Sequence, residues 1–171
     1  MLVARGLEAS GVRNGPWNTN TAIGSDAADP WTRAAVAVGG LLALSSREAL
    51  YWTAFVDSAG ERLTSGCRYE IRGRDPGARW WSLTAYGADH FLIANPARRY
   101  SWTAASVARE PDGGFVIAAG GAPDARNPLP VGEPTARAPF SLTLRLYEPS
   151  RETLADPARA GLPTIERGAC Q

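Results

Sequence analysis

The sequence predicts a mainly β protein, an antiparallel jelly-roll-like β-sandwich with one N-terminal helix over about 30–44. Three observations lead there. From Leu50 onward apolar and polar residues alternate with a period of two, the pattern of strands that turn one face to a core. Turn-forming Gly, Pro, Asp and Asn clusters interrupt that pattern at short intervals, with no alternation of helix and strand. A single strong helix start, Asp29-Pro30, precedes the strands: Asp29 suits an N-cap, and Pro30 stands at the first helical position, where a missing N–H costs nothing.

Taken in order, residues 1–28 read as an extended arm anchored by Trp17 and Ile23, and 29–171 as a single β-sandwich domain. In the helix, Ala34, Val38, Leu41 and Leu42 recur at near-helical spacing, and Gly39-Gly40 weaken the interior by about 1 kcal/mol each. Tyr51 to Asp57 is a strand, Ser58 to Glu61 its turn, and Gly66 to Gly73 the return arm of a hairpin. Trp80 to Tyr86, between Asp75-Pro76-Gly77 and Gly87-Ala88-Asp89, reads as a central strand with Trp81, Leu83 and Ala85 facing inward. A short strand at Phe91 to Ile93 and an extended piece over Arg99 to Thr103 follow. A second hairpin turns at Pro111-Asp112-Gly113, joining Ser106–Arg109 to Gly114–Ala118. Gly120 to Pro139 is a long loop, and Phe140 to Tyr147 closes the sheet, its Phe140, Leu142, Leu144 and Leu146 forming the clearest core stripe. The remainder reads as coil reaching Cys170.

Composition narrows function by exclusion. A chain of 171 residues with net charge +1 is one ordinary globular domain and carries no signature of a nucleic-acid partner. Every basic residue is Arg, which removes lysine nucleophiles and Schiff bases. With one His, His90, no multi-histidine metal site forms, and no cofactor motif is present. His90 with Asp57, Asp89 or Ser82 has the composition of a triad, but no nucleophile motif accompanies it, and a turn histidine reads as solvated. Cys67 and Cys170 are either free thiols or one long-range bridge; composition leaves both open. No run reaches the roughly 20 apolar residues of a membrane span, and Met1 to Arg5 does not open a signal peptide.

Alternation gives each main strand a polar, aromatic-bearing face: Tyr51, Thr53, Phe55 and Asp57; Ser82, Thr84 and Tyr86; Ser141, Thr143, Arg145 and Tyr147. Joined, these faces make a surface suited to carbohydrate or a polar small molecule; taken separately, they are the Thr, Ser and Tyr of any solvated sheet. Arg98-Arg99-Tyr100 has the guanidinium groups to meet a carboxylate or phosphate, or to tie down its own loop.

The run Trp80-Trp81-Ser82-Leu83-Thr84-Ala85-Tyr86, then Asn95-Pro96 with Arg99-Tyr100-Ser101, Leu129-Pro130, and Leu144-Arg145-Leu146-Tyr147-Glu148-Pro149 resemble, in type and order, the bacterial family catalogued as domain of unknown function 1214. Gly15-Pro16-Trp17, Ile23-Gly24, Asp29-Pro30 through Arg33-Ala34, and Leu162 through Arg167 extend the resemblance to about residues 15–170 and to short, stand-alone members. Asn127-Pro128 replaces the Asn-Trp of longer members, so no role of that Trp carries over. The resemblance implies a jelly-roll-like sandwich of unassigned activity, a Cys67–Cys170 disulfide, and a periplasmic or otherwise extracytoplasmic place, with any membrane attachment through an anchor outside this chain. The expected function is then a non-catalytic module that binds a small polar or saccharide-like ligand, or an envelope partner protein, through Tyr86, Arg99, Tyr100, Arg145 and Tyr147. No metal or cofactor is expected. The alternatives are a hydrolase or lyase using Tyr86 or Tyr147 with Arg145, and a purely structural envelope protein.

Overall fold

A computed structural model describes residues 11–26, 28–38, 44–121 and 124–171. Its strands, in chain order, are β1 (Val12–Asn14), β2 (Trp17–Thr19), β3 (Ala49–Ala54), β4 (Cys67–Gly73), β5 (Ala78–Gly87), β6 (Ser101–Thr103), β7 (Phe115–Ala119), β8 (Pro128–Leu129), β9 (Phe140–Pro149) and β10 (Thr164–Cys170), with helices α1 (Pro30–Val38) and α2 (Arg151–Ala155). The protein is mainly β, built on two sheets. One has six strands in the order β1-β2-β3-β9-β5-β6, the other four in the order β10-β4-β7-β8. All neighbours are antiparallel except β7 and β8.

Alternation explains which side chains fill the space between the sheets. Trp52 and Ala54 on β3, Trp81, Leu83 and Ala85 on β5, and Leu142, Leu144 and Leu146 on β9 all turn inward and are buried. They meet Tyr69 and Ile71 of β4, Phe115, Ile117 and Ala119 of β7, and Ile165 of β10 in one continuous core. Trp81 stacks tilted on Phe115, with ring centroids 4.8 Å apart. The inward set of β5 and the core stripe of β9 are therefore as the alternation reads.

Several expected connections differ. The stretch read as an arm includes the β1–β2 hairpin, which joins the six-stranded sheet through Trp17↔Ala54 and Asn18↔Thr53. Trp17 holds it there, buried in the core with its indole N–H donating to the Pro163 carbonyl at 2.7 Å. β3 and β4 do not form a hairpin: they lie in different sheets. The expected turn exists, but it closes a single Val56↔Arg62 bridge, after which buried Leu63 carries the chain across the core. β9 lies between β3 and β5, and Leu92 makes one bridge to Tyr86 instead of a strand. Of the second hairpin, the turn is present, with Glu110 N–H bonding the Gly114 carbonyl, but its first arm is one Arg109↔Phe115 bridge. β8 lies in the expected long loop, held by buried Asn127, whose amide donates to the Ala108 and Val116 carbonyls.

The supposed C-terminal coil contains α2 and β10. Alternation is silent in β10 because only Ile165 enters the core, while the rest of the strand is exposed. Cys170 pairs in register with Cys67, and the two form the disulfide. Helix α1 starts where Asp29 caps it, with Oδ1 accepting from the Trp31 and Thr32 N–H groups at 2.8 and 2.9 Å. It extends to Val38; the expected continuation through Gly39-Gly40, Leu41 and Leu42 lies outside the described residues.

Candidate functional site

With the inner face of the six-stranded sheet committed to the core, its outer face receives the alternate residues. Register aligns them in rows across the strands. One row runs Arg13, Asn18, Thr53, Thr143, Thr84 and Ser101, from β1 to β6. The next runs Tyr51, Arg145, Ser82 and Thr103, followed by Ala49, Tyr147 and Trp80; Ser141 stands opposite Tyr86 on the other side. Neighbours within a row stand ~4.8 Å apart, so hydroxyls recur at strand spacing.

This face differs from an ordinary solvated one. Ser82, Thr84, Ser141 and Thr143 retain only 5–7% of their exposure. At one end Ile23, Ala49 and Tyr51 form a small apolar cluster with Val36 of α1, Leu44 and Tyr147. Tyr147 also packs on Trp80, centroids 5.1 Å apart.

Arg145 stands at the centre of the face, half-buried. Its Nη2 donates to Tyr86 Oη at 2.7 Å and its Nη1 to Thr84 Oγ1 at 3.3 Å, while the guanidinium lies 5.4 Å from the Tyr86 ring centroid. Arg72, Arg74, Arg79 and Arg109 each find a carboxylate; among the described residues Arg145 has none. Beside it, the buried Tyr51 hydroxyl has no hydrogen-bond partner among the described residues. Burial pushes the Tyr51 phenol up, and Tyr147 adds to this; Arg145 opposes it, as does the Leu44 N–H, which faces the phenol without hydrogen-bond geometry. Tyr51 thus stays protonated and offers a donor.

Of the five residues singled out in the sequence, Tyr86 and Arg145 meet directly and Tyr147 shares their face. Arg99 and Tyr100 lie apart. The Arg99 guanidinium is exposed and stacks 4.3 Å from the Trp102 ring, and Tyr100 contributes a carbonyl to the Ala85 N–H; neither bonds Arg145. Asn18, Ser101 and Thr103 enter the rows unanticipated, because strands as short as β2 and β6 give alternation too few residues to register. Asp57 leaves the face altogether. It is buried in the turn after β3, its Oδ1 taking the Ala59 and Glu61 N–H groups, and its Oδ2 lies 2.8 Å from Arg167 Nε, a contact of charge without hydrogen-bond alignment. No triad forms around His90, since Asp57 is so engaged and Ser82 faces Arg145. Among the described residues no group of three His, Cys, Asp or Glu could hold a metal, and no helix is long and apolar enough to cross a membrane.

Fold and face together define a two-sheet β protein with a polar, partly enclosed outer face centred on an arginine. The profile of the family described as "Protein of unknown function (DUF1214)" matches residues 48–151, and the chain belongs to that family. Among solved structures it is similar to the VPA0106 protein of Vibrio parahaemolyticus at 26% identity and a TM-score of 0.65, covering 84% of this chain and 36% of that one. An uncharacterised protein of Burkholderia cenocepacia matches at 22% identity with a TM-score of 0.47, over 72% of this chain and 30% of that one. The chain thus spans about a third of the length of these structures. No curated protein matches.

Proposed function

We propose that the outer face of the six-stranded sheet binds a small, polar, negatively charged ligand, with acidic saccharides as the class its chemistry suits. The observation that carries this reading is Arg145, a half-buried guanidinium bonded to two hydroxyls with no carboxylate among the described residues. Such a charge gains most from a planar anion, which guanidinium meets through two parallel hydrogen bonds. The rows of Thr and Ser, with the Tyr51 hydroxyl, unpartnered among the described residues, supply donors and acceptors for sugar hydroxyls, and the Trp80–Tyr147 ring pair borders them. Binding is favoured over catalysis because Tyr51, the phenol across the strand pair from Arg145, is pushed away from the range of a base at neutral pH.

The enzyme reading has one observation of its own, the 2.7 Å contact that orients the Tyr86 hydroxyl. Isothermal titration with uronic-acid oligomers and their neutral counterparts separates the readings. Saturable binding of acidic oligomers, lost in Arg145→Met and without turnover, supports the proposal; turnover supports a lyase or hydrolase; no binding to either series favours a structural role. The Cys67–Cys170 bond supports placing the protein in an oxidising, extracytoplasmic compartment. The insertion of β9 between β3 and β5, and of β4 between β10 and β7, supports reading the sandwich as jelly-roll-like.

A further inference from the structure

The connection between β5 and β6 turns its apolar side chains outward. Phe91 is 73% and Leu92 48% exposed, and Ala88, Ala94, Pro96 and Ala97 are exposed beside them. Its polar side chains serve the loop itself. Asp89 Oδ1 accepts the Phe91 N–H at 3.1 Å, and Asn95 closes the second half, its Oδ1 taking the Arg99 N–H and its amide donating to the Ile93 and Arg99 carbonyls, each at 3.0 Å.

The backbone is tied down as well. Gly87 N–H bonds the Phe91 carbonyl at 2.9 Å, His90 N–H the Gly87 carbonyl and Arg98 N–H the Asn95 carbonyl. A Cβ at Gly87 would lie 2.7 Å from Asp89 Oδ1, so a larger residue there would push the Asp89 carboxylate aside. His90 and Arg98 hold positive φ, 65° and 49°, and Ile93 anchors the loop against the core. A loop that bonds its Asp89 and Asn95 side chains internally and shows Phe91 and Leu92 to the outside suits an interface between water and an apolar medium.

Charge points to which medium. Arg98 and Arg99 stand exposed at the base of the tip, unpaired with any carboxylate among the described residues, and Asp89 is the only acid between Gly87 and Tyr100. Phe and Leu flanked by arginines match the boundary of an anionic lipid leaflet, where rings enter the acyl edge and guanidinium groups meet phosphates.

We infer that the 87–99 loop is an interfacial contact that seats this domain on an anionic membrane surface, with Phe91 and Leu92 inserted and Arg98 and Arg99 at headgroup level. This contact is separate from the Arg145 face, although the Tyr86↔Leu92 bridge holds the tip next to it.

Co-sedimentation of the disulfide-bonded chain with vesicles tests it, using phosphatidylcholine alone and phosphatidylcholine with a third phosphatidylglycerol. Wild type is expected to pellet with the anionic vesicles, at least tenfold less after Phe91→Ser with Leu92→Ser, and roughly fivefold less for each of Arg98→Gln and Arg99→Gln. An unchanged melting temperature of the doubly substituted protein, whose changed side chains lie on the surface, separates lost binding from lost folding. Wild type left in the supernatant at low salt, or pelleting indifferent to Phe91 and Leu92, overturns the inference. So does a wild-type dimer that Phe91→Ser with Leu92→Ser converts to monomer, which would assign the patch to a second copy of the chain.

Discussion

Arg145 and Tyr51 share one rung of the six-stranded sheet, and each has a polar group the fold leaves incompletely served. A buried hydroxyl without a partner costs about 1–3 kcal/mol. Tyr51→Phe is therefore expected to be as stable as wild type, or more stable by up to about 1 kcal/mol, in urea unfolding. A loss above about 1 kcal/mol would mean the hydroxyl is bonded after all. Arg145→Met gives up two hydrogen bonds from a charged, half-buried donor, so its expected cost is about 2–4 kcal/mol while ligand binding disappears. Asp75 ties the base of β5 to the loop before β7. Burial works to raise its carboxyl, but bonds from Trp81 Nε1 at 2.8 Å and Arg109 Nη2 at 2.7 Å, with the charge of Arg109, prevail and hold it below 3.8. With the folded value depressed, Asp75 contributes stability above the unfolded value and loses it as pH falls through the folded one. Urea midpoints should drop below about pH 3.8, and less steeply in Asp75→Asn. The site was partly legible at this scale. Arg145, Tyr86 and Tyr147 stand out because alternation puts bulky polar residues where a solvated strand would serve with any small one. Arg99 and Tyr100 lie apart from that group, in a loop where no alternation says which side chains share a face.

Strands were legible where two or more inward residues repeat, as in β5 and β9, and obscure where one contact decides. β10 buries Ile165 alone and is fixed by its disulfide to β4, which no period reveals. Pairing was less legible than strands. Tyr51–Asp57 and Cys67–Gly73 carry a turn between them, yet Leu63, fully buried, sends the second strand to the opposite sheet. The disulfide closes a loop of 103 positions, for which the chain-entropy estimate is about 4–5 kcal/mol. Cys67→Ser with Cys170→Ser is expected to lose about 4 kcal/mol in denaturant unfolding. A loss under about 1 kcal/mol would show the unfolded chain is little constrained by the bond. At the other end of the chain, Asp29→Ala removes the acceptor for two N–H groups of α1 and is expected to lower helix stability by about 1 kcal/mol, read from hydrogen exchange over Trp31–Val38.

The whole molecule divides its labour by face. The space between the sheets is apolar and holds the fold, whereas the outer face of the larger sheet is polar and carries an arginine free of carboxylates among the described residues. Family membership adds the sequence class without an activity, so the chemistry of that face bears the functional argument. The most direct test is nuclear magnetic resonance of the arginine Nε–H and tyrosine hydroxyl groups during titration with a uronic-acid oligomer. The account predicts shifts concentrated on Arg145, Tyr86, Tyr51 and the Thr84–Thr143 rung, saturating together and absent with the neutral oligomer. Shifts that spare Arg145, or that appear equally with neutral and acidic sugars, would contradict it.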